Sequence, residues 1–247
     1  MIDHVPAEGL AGFRHRKDSG ETATRDRWTV RAVNAWVSSV LPPLLESGTA
    51  PGPVLDVGCA EQPFRPLVEA SGRKYVGMDV VQNSAHSVEL FSTLEDAPSP
   101  LEPFAAVLCT EVLEHVVDID AAFAGLRRQI AAGGVAVLTV PFMFPLHMEP
   151  YDLRRLTLHG AEQLAGAHGF RVDHATRLGG LPDVLAMLVT DGSILPIPGS
   201  LYSKMKVGVL RAAAGAFVGL LDSGALSRRV IVNSNSYLSN GVVLRAI

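Results

Sequence analysis

Two carboxylates stand at the ends of two short apolar runs. Asp56 belongs to Val54-Leu55-Asp56-Val57, with Gly58-Cys59-Ala60 directly after it, and Asp79 closes Lys74-Tyr75-Val76-Gly77-Met78-Asp79, 23 residues after Asp56. A glycine after a buried strand lets the backbone turn sharply and approach a bound molecule. A carboxylate offers two acceptor oxygens to a pair of hydroxyls or to an ammonium. Strand, glycine turn, helix, strand, acid is the layout of a nucleotide-binding βαβ unit. Two imidazoles add proton chemistry near neutral pH: His115, and His147 in the run Pro141 to Thr157 with Glu149 and Asp152 close by.

The glycine spacing argues against two common phosphate sites. A dinucleotide fingerprint needs three glycines, but here Ala60 and Gln62 occupy the later places, and no Lys followed by Ser or Thr completes a P-loop. With its first motif Leu55-Asp56-Val57-Gly58-Cys59, the chain resembles the class I S-adenosylmethionine-dependent methyltransferases. Cys109-Thr110-Glu111-Val112-Leu113-Glu114-His115 and Ala132-Gly133-Gly134-Val135-Ala136-Val137-Leu138-Thr139-Val140-Pro141 extend that resemblance in order. It implies S-adenosylmethionine as cofactor. Gly58, Cys59 and Ala60 would lie under the methionine portion, with Ala60 in place of the family's usual glycine, and Asp56 would reach the ammonium. Asp79 would take the ribose hydroxyls and Val80 would pack on adenine. Thr93 and Leu94 would lie at the adenine amino group, where many relatives carry an acid. Thr110 and Glu111 would line the methyl end. Gln62-Pro63-Phe64-Arg65 and the Pro141–Thr157 run resemble a subgroup associated with glycan or specialised-metabolite biosynthesis.

The elements that must position these residues can be read from periodicity. Strands are expected near 54–58, 75–79, 87–91, 104–109, 134–140, 171–176 and 241–246, and helices near 63–71, 118–132 and 158–168. Alternation of this kind predicts an α/β fold with a parallel sheet covered on both faces. The resemblance implies a Rossmann-like sheet of seven strands, the last antiparallel. An amphipathic helix over 25–46 precedes it, and Pro42 and Pro43 are expected to disturb its end. Residues 1–24 read as a flexible segment or a lid, and residues 178–236 as a helical insertion that shapes the acceptor pocket within a methyltransferase domain spanning 25–247.

Bulk properties narrow the partners. The chain has 247 residues, 48% of them hydrophobic, and a net charge of −4, which suits a globular core and disfavours a nucleic-acid partner. Its two cysteines, Cys59 and Cys109, fall in expected core segments, which fits a reducing, cytoplasmic setting. No apolar leader stands at the N-terminus. Arginine outnumbers lysine 17 to 4, the usage of a GC-rich bacterium. Val207 to Leu221 is apolar but only 15 residues long and holds Arg211, so it reads as a buried or amphipathic helix. Membrane-surface contact, or an oligomer contact through this C-terminal region, is the alternative.

The reading is a methyltransferase acting on a small-molecule acceptor, a sugar, glycosylated intermediate or specialised metabolite, with oxygen as the first choice of acceptor atom. His147, His115 and Asp152 are the catalytic candidates. Structural roles compete for each: a satisfied histidine at 115, a loop tie from His147 to Asp152 or Glu149, and an Asp152–Arg154 pair. No metal is expected from the linear spacing. A nicotinamide-dependent oxidoreductase and a non-catalytic binding protein that keeps the pocket are the alternatives.

Overall fold

The computed structural model describes residues 27–47, 49, 51–190 and 236–247, together with single helical positions between 208 and 220. The expected segment 1–24 and most of the expected insertion therefore lie outside the described residues. The order is α1 Arg27–Ser47, β1 Val54–Val57, α2 Arg65–Ala70, β2 Tyr75–Asp79, β3 Leu90–Phe91, β4 Phe104–Thr110, a 3-10 turn Leu113–His115, α3 Ile119–Gln129, β5 Ile130–Pro141, α4 Leu158–Ala167, β6 Phe170–Leu178, α5 Leu181–Thr190 and β7 Ser239–Ala246.

Seven strands form one sheet in the order β3-β2-β1-β4-β5-β7-β6. The pairs β1–β2, β1–β4, β2–β3 and β4–β5 are parallel. Strand β7 runs antiparallel to both β5 and β6. Strand order reverses between β1 and β4, so a crevice opens beyond their carboxyl ends, where open α/β sheets bind ligands.

Strand alternation explains the two cores. On β4, Val107 and Cys109 join one apolar cluster with Phe123 and Leu126 of α3. Ala106 and Leu108 point the other way and join Val33, Val37, Leu41 and Leu45 of α1. Those four α1 residues recur every fourth position, one stripe of a helix. Helix α1 runs through Pro42 and Pro43 to Ser47, beyond the expected disturbance. Leu41 and Leu45, 0% and 4% exposed, anchor its last turns in the core. That burial outweighs the missing amide donors, because tertiary packing overrides local propensity.

Two helices begin where capping chemistry dictates. Asp118 accepts a hydrogen bond from the Ala121 amide at 2.9 Å, and Thr157 accepts one from Gly160 at 3.0 Å. Helix α3 ends at Gln129, earlier than the periodicity predicts, because Ile130 turns extended and pairs with Phe104 at the start of β5. Only Leu90–Phe91 of the expected 87–91 strand is paired, as a sheet edge. Helix α5 matches the apolar pattern at 184–190, and no described helix is long and apolar enough to cross a membrane.

Helix α3 also grips the segment after β3. Arg128 donates to the Glu95 carbonyl at 3.1 Å, and Gln129 donates to the Pro98 carbonyl at 2.9 Å. The contact is close because Gly125 has no side chain: a Cβ there would sit 2.0 Å from the Leu94 carbonyl oxygen. Gly125→Ala is expected to cost about 1–3 kcal/mol of stability through overpacking. Urea unfolding measures the loss, and an unchanged midpoint would show that the contact yields freely.

Candidate active site

One end of the crevice is built by the turn after β1. Gly58 has φ +65° and Ala60 φ +45°. Both are in the left-handed region, which glycine enters freely and alanine does not. A Cβ on Gly58 would also lie 2.4 Å from Val112 Cγ2. The Ala60 amide donates to Asp79 Oδ2 at 3.0 Å, and the Val80 amide donates to Asp79 Oδ1 at 2.7 Å. Asp79 thus ties the β1 turn to the end of β2. Asp56 accepts from the Tyr75 hydroxyl. Burial first, then the Asp56 carboxylate, pushes the Tyr75 phenol far up, so it stays protonated as a donor. Helix α2 begins after Phe64 with no side-chain cap at its N-cap position.

Beyond this turn lies a cavity of about 750 Å³, within the roughly 300–1,000 Å³ of small-molecule pockets. The fold brings Asp56, Gly58, Cys59, Ala60, Asp79, Val80, Thr93, Leu94, Thr110, Glu111, His115 and His147 to its wall. Asp152 is the one expected site residue that this wall lacks; it lines a neighbouring cavity of about 640 Å³ with Phe144, Arg155 and Met187. Two groups escaped the sequence reading as site residues. Thr29, Val30, Val33 and Asn34 of α1 line the cavity, and so does Glu114. The α1 stripe signals burial in sequence, but only the fold shows what its first turns cover. Glu114 sat in the quoted motif, yet its burial and neighbours are tertiary facts.

The far end of the cavity is held by a stitched pair of loops. The Leu153 amide donates to the Glu114 carbonyl at 2.9 Å. Arg154 donates to the carbonyls of Leu113, Val116 and Val117. The expected pairing of Asp152 with Arg154 is therefore corrected: Arg154 serves backbone carbonyls, and Asp152 pairs with Arg155 through both of its oxygens. A guanidinium fork matches a carboxylate in this way.

These loops present the histidines. His115 Nδ1 lies 3.0 Å from the Tyr151 carbonyl. A carbonyl only accepts, so Nδ1 carries the hydrogen and Nε2 the lone pair. His147 Nδ1 lies 3.0 Å from Asp152 Oδ2, and the His147 amide donates to the same oxygen at 3.1 Å. The tie from His147 goes to Asp152. The two rings meet edge to face with centroids 5.0 Å apart, and Phe144 packs on His147 at 5.1 Å. Burial lowers the His147 pKa against the pull of Asp152, which keeps the imidazole neutral at neutral pH. Burial would raise the Asp152 pKa, but hydrogen bonds from Arg155 and the His147 backbone win and hold it below the ordinary carboxylate value.

Glu114 lies between the rings. His115 Nε2 is 3.7 Å and His147 Nε2 is 3.9 Å from Glu114 Oε1, and the Glu114 side chain is 0% exposed. Burial first, then the nearby Glu111 carboxylate, raises its pKa well above the usual value. Glu111 has φ +53°, and its amide donates to the Thr139 carbonyl. Strained backbone of this kind concentrates at functional sites.

A family model described as a methyltransferase domain matches residues 30–178. The chain belongs to that family. It is a methyltransferase by family, with the fold of S-adenosylmethionine-dependent enzymes. Among solved structures, the chain is similar to the Burkholderia thailandensis 1,6-didemethyltoxoflavin-N1-methyltransferase with bound 1,6-didemethyltoxoflavin and S-adenosylhomocysteine, at 16% identity and TM-score 0.61 over 98% of this chain and 90% of that one. A SAM-dependent methyltransferase from Archaeoglobus fulgidus is similar at 14% identity and TM-score 0.51 over 85% and 93%. A geranyl diphosphate methyltransferase in complex with GPP and sinefungin is similar at 13% identity and TM-score 0.54 over 86% and 79%. No curated protein matches the methyltransferase by sequence.

The Asp152–Arg155 pair gives a testable constraint. Asp152 has a side chain 0% exposed, so Arg155→Met leaves a buried carboxylate with little compensation. The expected cost is about 3 kcal/mol at neutral pH, read by thermal or urea unfolding. An unfolding midpoint equal to that of the unaltered protein would show that the pair does not hold the loop.

Proposed function

We propose that this methyltransferase moves the methyl group of S-adenosylmethionine to a hydroxyl oxygen of a small-molecule acceptor. The carrying observation is a single cavity with the Gly58 turn and Asp79 along one wall and His115 and His147 on the same lining. Asp79 is proposed to accept from the ribose hydroxyls and Asp56 to face the ammonium. Gly58, Cys59 and Ala60 lie under the methionine portion. Val80, Thr93 and Leu94 flank the adenine, and Thr110 and Glu111 lie toward the methyl carbon. The residues present suit such a molecule: a concave cavity of the right size, a close-approach turn and two carboxylates at strand ends.

When bound, S-adenosylmethionine supplies an electrophilic methyl carbon, so the protein's task is alignment of donor and acceptor and handling of one proton. His147 and His115 are proposed to activate the acceptor hydroxyl. Asp152 is proposed to act through His147 as a positioning residue: it accepts from the His147 amide and lies 3.0 Å from Nδ1, which holds the loop that presents the ring. The acceptor is proposed to enter along the loop 142–157, whose Phe144, His147, Met148 and Tyr151 reach the cavity. Small molecules bound by two structural relatives, didemethyltoxoflavin and GPP, support an acceptor of that size. Sugars and specialised metabolites bearing hydroxyls fit the proposal best.

Two measurements test it. Titration calorimetry with S-adenosylhomocysteine is expected to show saturable binding that Asp79→Ala weakens by about 10- to 100-fold, the loss of one or two charge-assisted hydrogen bonds; equal affinity would remove Asp79 from the ribose. With an accepted hydroxyl substrate, His147→Gln is expected to lower kcat by about 100-fold or more while affinity for S-adenosylhomocysteine holds. Unchanged turnover would sink the assignment of His147.

A further inference from the structure

We propose that Glu114, His115 and His147 bind one divalent first-row transition cation at the acceptor end of the cavity, and that two vicinal oxygens of the acceptor complete its coordination. This deepens the proposed function and rests on its placing of a hydroxyl acceptor beside the two histidines.

Glu114 is the starting point. Among the described residues neither of its oxygens has a hydrogen-bond partner, although the side chain is wholly buried. Buried charge is tolerated when it is paired or coordinates a metal. The partners within reach are two ring nitrogens, at 3.7 and 3.9 Å from Oε1, and the three ligand atoms lie within 4.8 Å of one another. An ion that holds nitrogen and oxygen ligands at about 2.0–2.2 Å brings them to about 3–3.5 Å apart, so small side-chain rotations seat it here.

The second observation is how the rings are held. Metal-binding histidines give their other nitrogen to a carboxylate or a backbone carbonyl, which fixes tautomer and orientation. His115 does this with the Tyr151 carbonyl. The His147 amide donates to the Asp152 carboxylate, which lies 3.0 Å from Nδ1 although that ring nitrogen makes no hydrogen bond among the described residues. Asp152 is in turn clamped by Arg155.

The donor set selects the ion. Two imidazoles and one carboxylate suit zinc, iron, cobalt or manganese better than magnesium or calcium, which take oxygen ligands. Three protein ligands leave coordination positions open toward the cavity. An acceptor with two neighbouring oxygens, such as a sugar diol or a hydroxy acid, chelates through them. A coordinated hydroxyl loses its proton more readily. The proton passes to solvent water. The oxygen's electron pair forms the new C–O bond, the C–S bond breaks, and its pair stays on sulfur as a neutral thioether. His147 then acts as a ligand, and the cation supplies the activation.

Cobalt reads the site without any turnover. The full chain, stripped with chelator and titrated with Co²⁺ alone, is expected to take up one equivalent and show the visible bands of imidazole ligation, which Zn²⁺ abolishes by displacement. Glu114→Gln and His147→Gln are each expected to weaken uptake by more than the roughly 10- to 100-fold typical of outer-shell changes. Both variants should bind S-adenosylhomocysteine as the unaltered protein does, which shows that they fold. No saturable cobalt uptake by the unaltered chain, or equal uptake by both variants, overturns the cation site. Either result leaves methyl transfer standing, because only failure of the unaltered chain to bind S-adenosylhomocysteine strikes that.

Discussion

The acceptance of the Ala60 amide by the Asp79 carboxylate ties the ends of β1 and β2 across the mouth of the sheet. Everything at the cofactor end depends on it. Ala60 has φ +45° and Gln62 φ +56°, conformations that a free chain with those side chains avoids. The fold supplies the restraint: Asp79 holds Ala60, while Gln62 donates to the Ser87 carbonyl. Gly58 needs no such help, because it lacks the Cβ that would strike Val112. A turn held from several sides keeps a fixed shape, and a fixed shape is what close approach to a ligand requires.

The opposite end follows a different logic. There the loop 142–157 is long and carries little regular structure, so side chains must hold it. Arg154 satisfies three carbonyls of the turn after β4, and Arg155 neutralises Asp152. Among the described residues, these contacts leave both oxygens of Glu114 without a hydrogen bond, along with one Glu111 oxygen and His147 Nδ1. Structural stability alone gives no reason to bury the Glu114 carboxyl group without a hydrogen-bond partner. Its Oε1 lies 3.7 and 3.9 Å from the Nε2 atoms of His115 and His147, the arrangement from which the cation site is proposed.

Much of this was legible before any coordinates. Asp56, Gly58 and Asp79 announced themselves because strand ends and glycine turns are local signals, set by hard-sphere sterics and by the period of two. A parallel sheet followed from alternation with helices; which strands lie beside β1, namely β2 and β4, the structure shows. The limits were equally local. Pro42 and Pro43 read as a disturbance because propensity counts missing donors and cannot count the core that Leu41 and Leu45 enter. The start of β5 was misplaced because the helical period runs past Gln129, while the pairing of Ile130 with Phe104 is a contact across the sheet.

By itself the chain determined its family, its α/β alternation and the cofactor motif, since each depends on residues near one another along the backbone. The tertiary structure alone decided the partners of the polar groups at the acceptor end. Arg155 in place of Arg154 on Asp152, the first turns of α1 on the cavity wall, and Glu114 between His115 and His147 all join segments far apart in sequence. Charge pairing and ligand geometry act through space over a few ångströms, and no spacing along a chain encodes which distant loops will come that close.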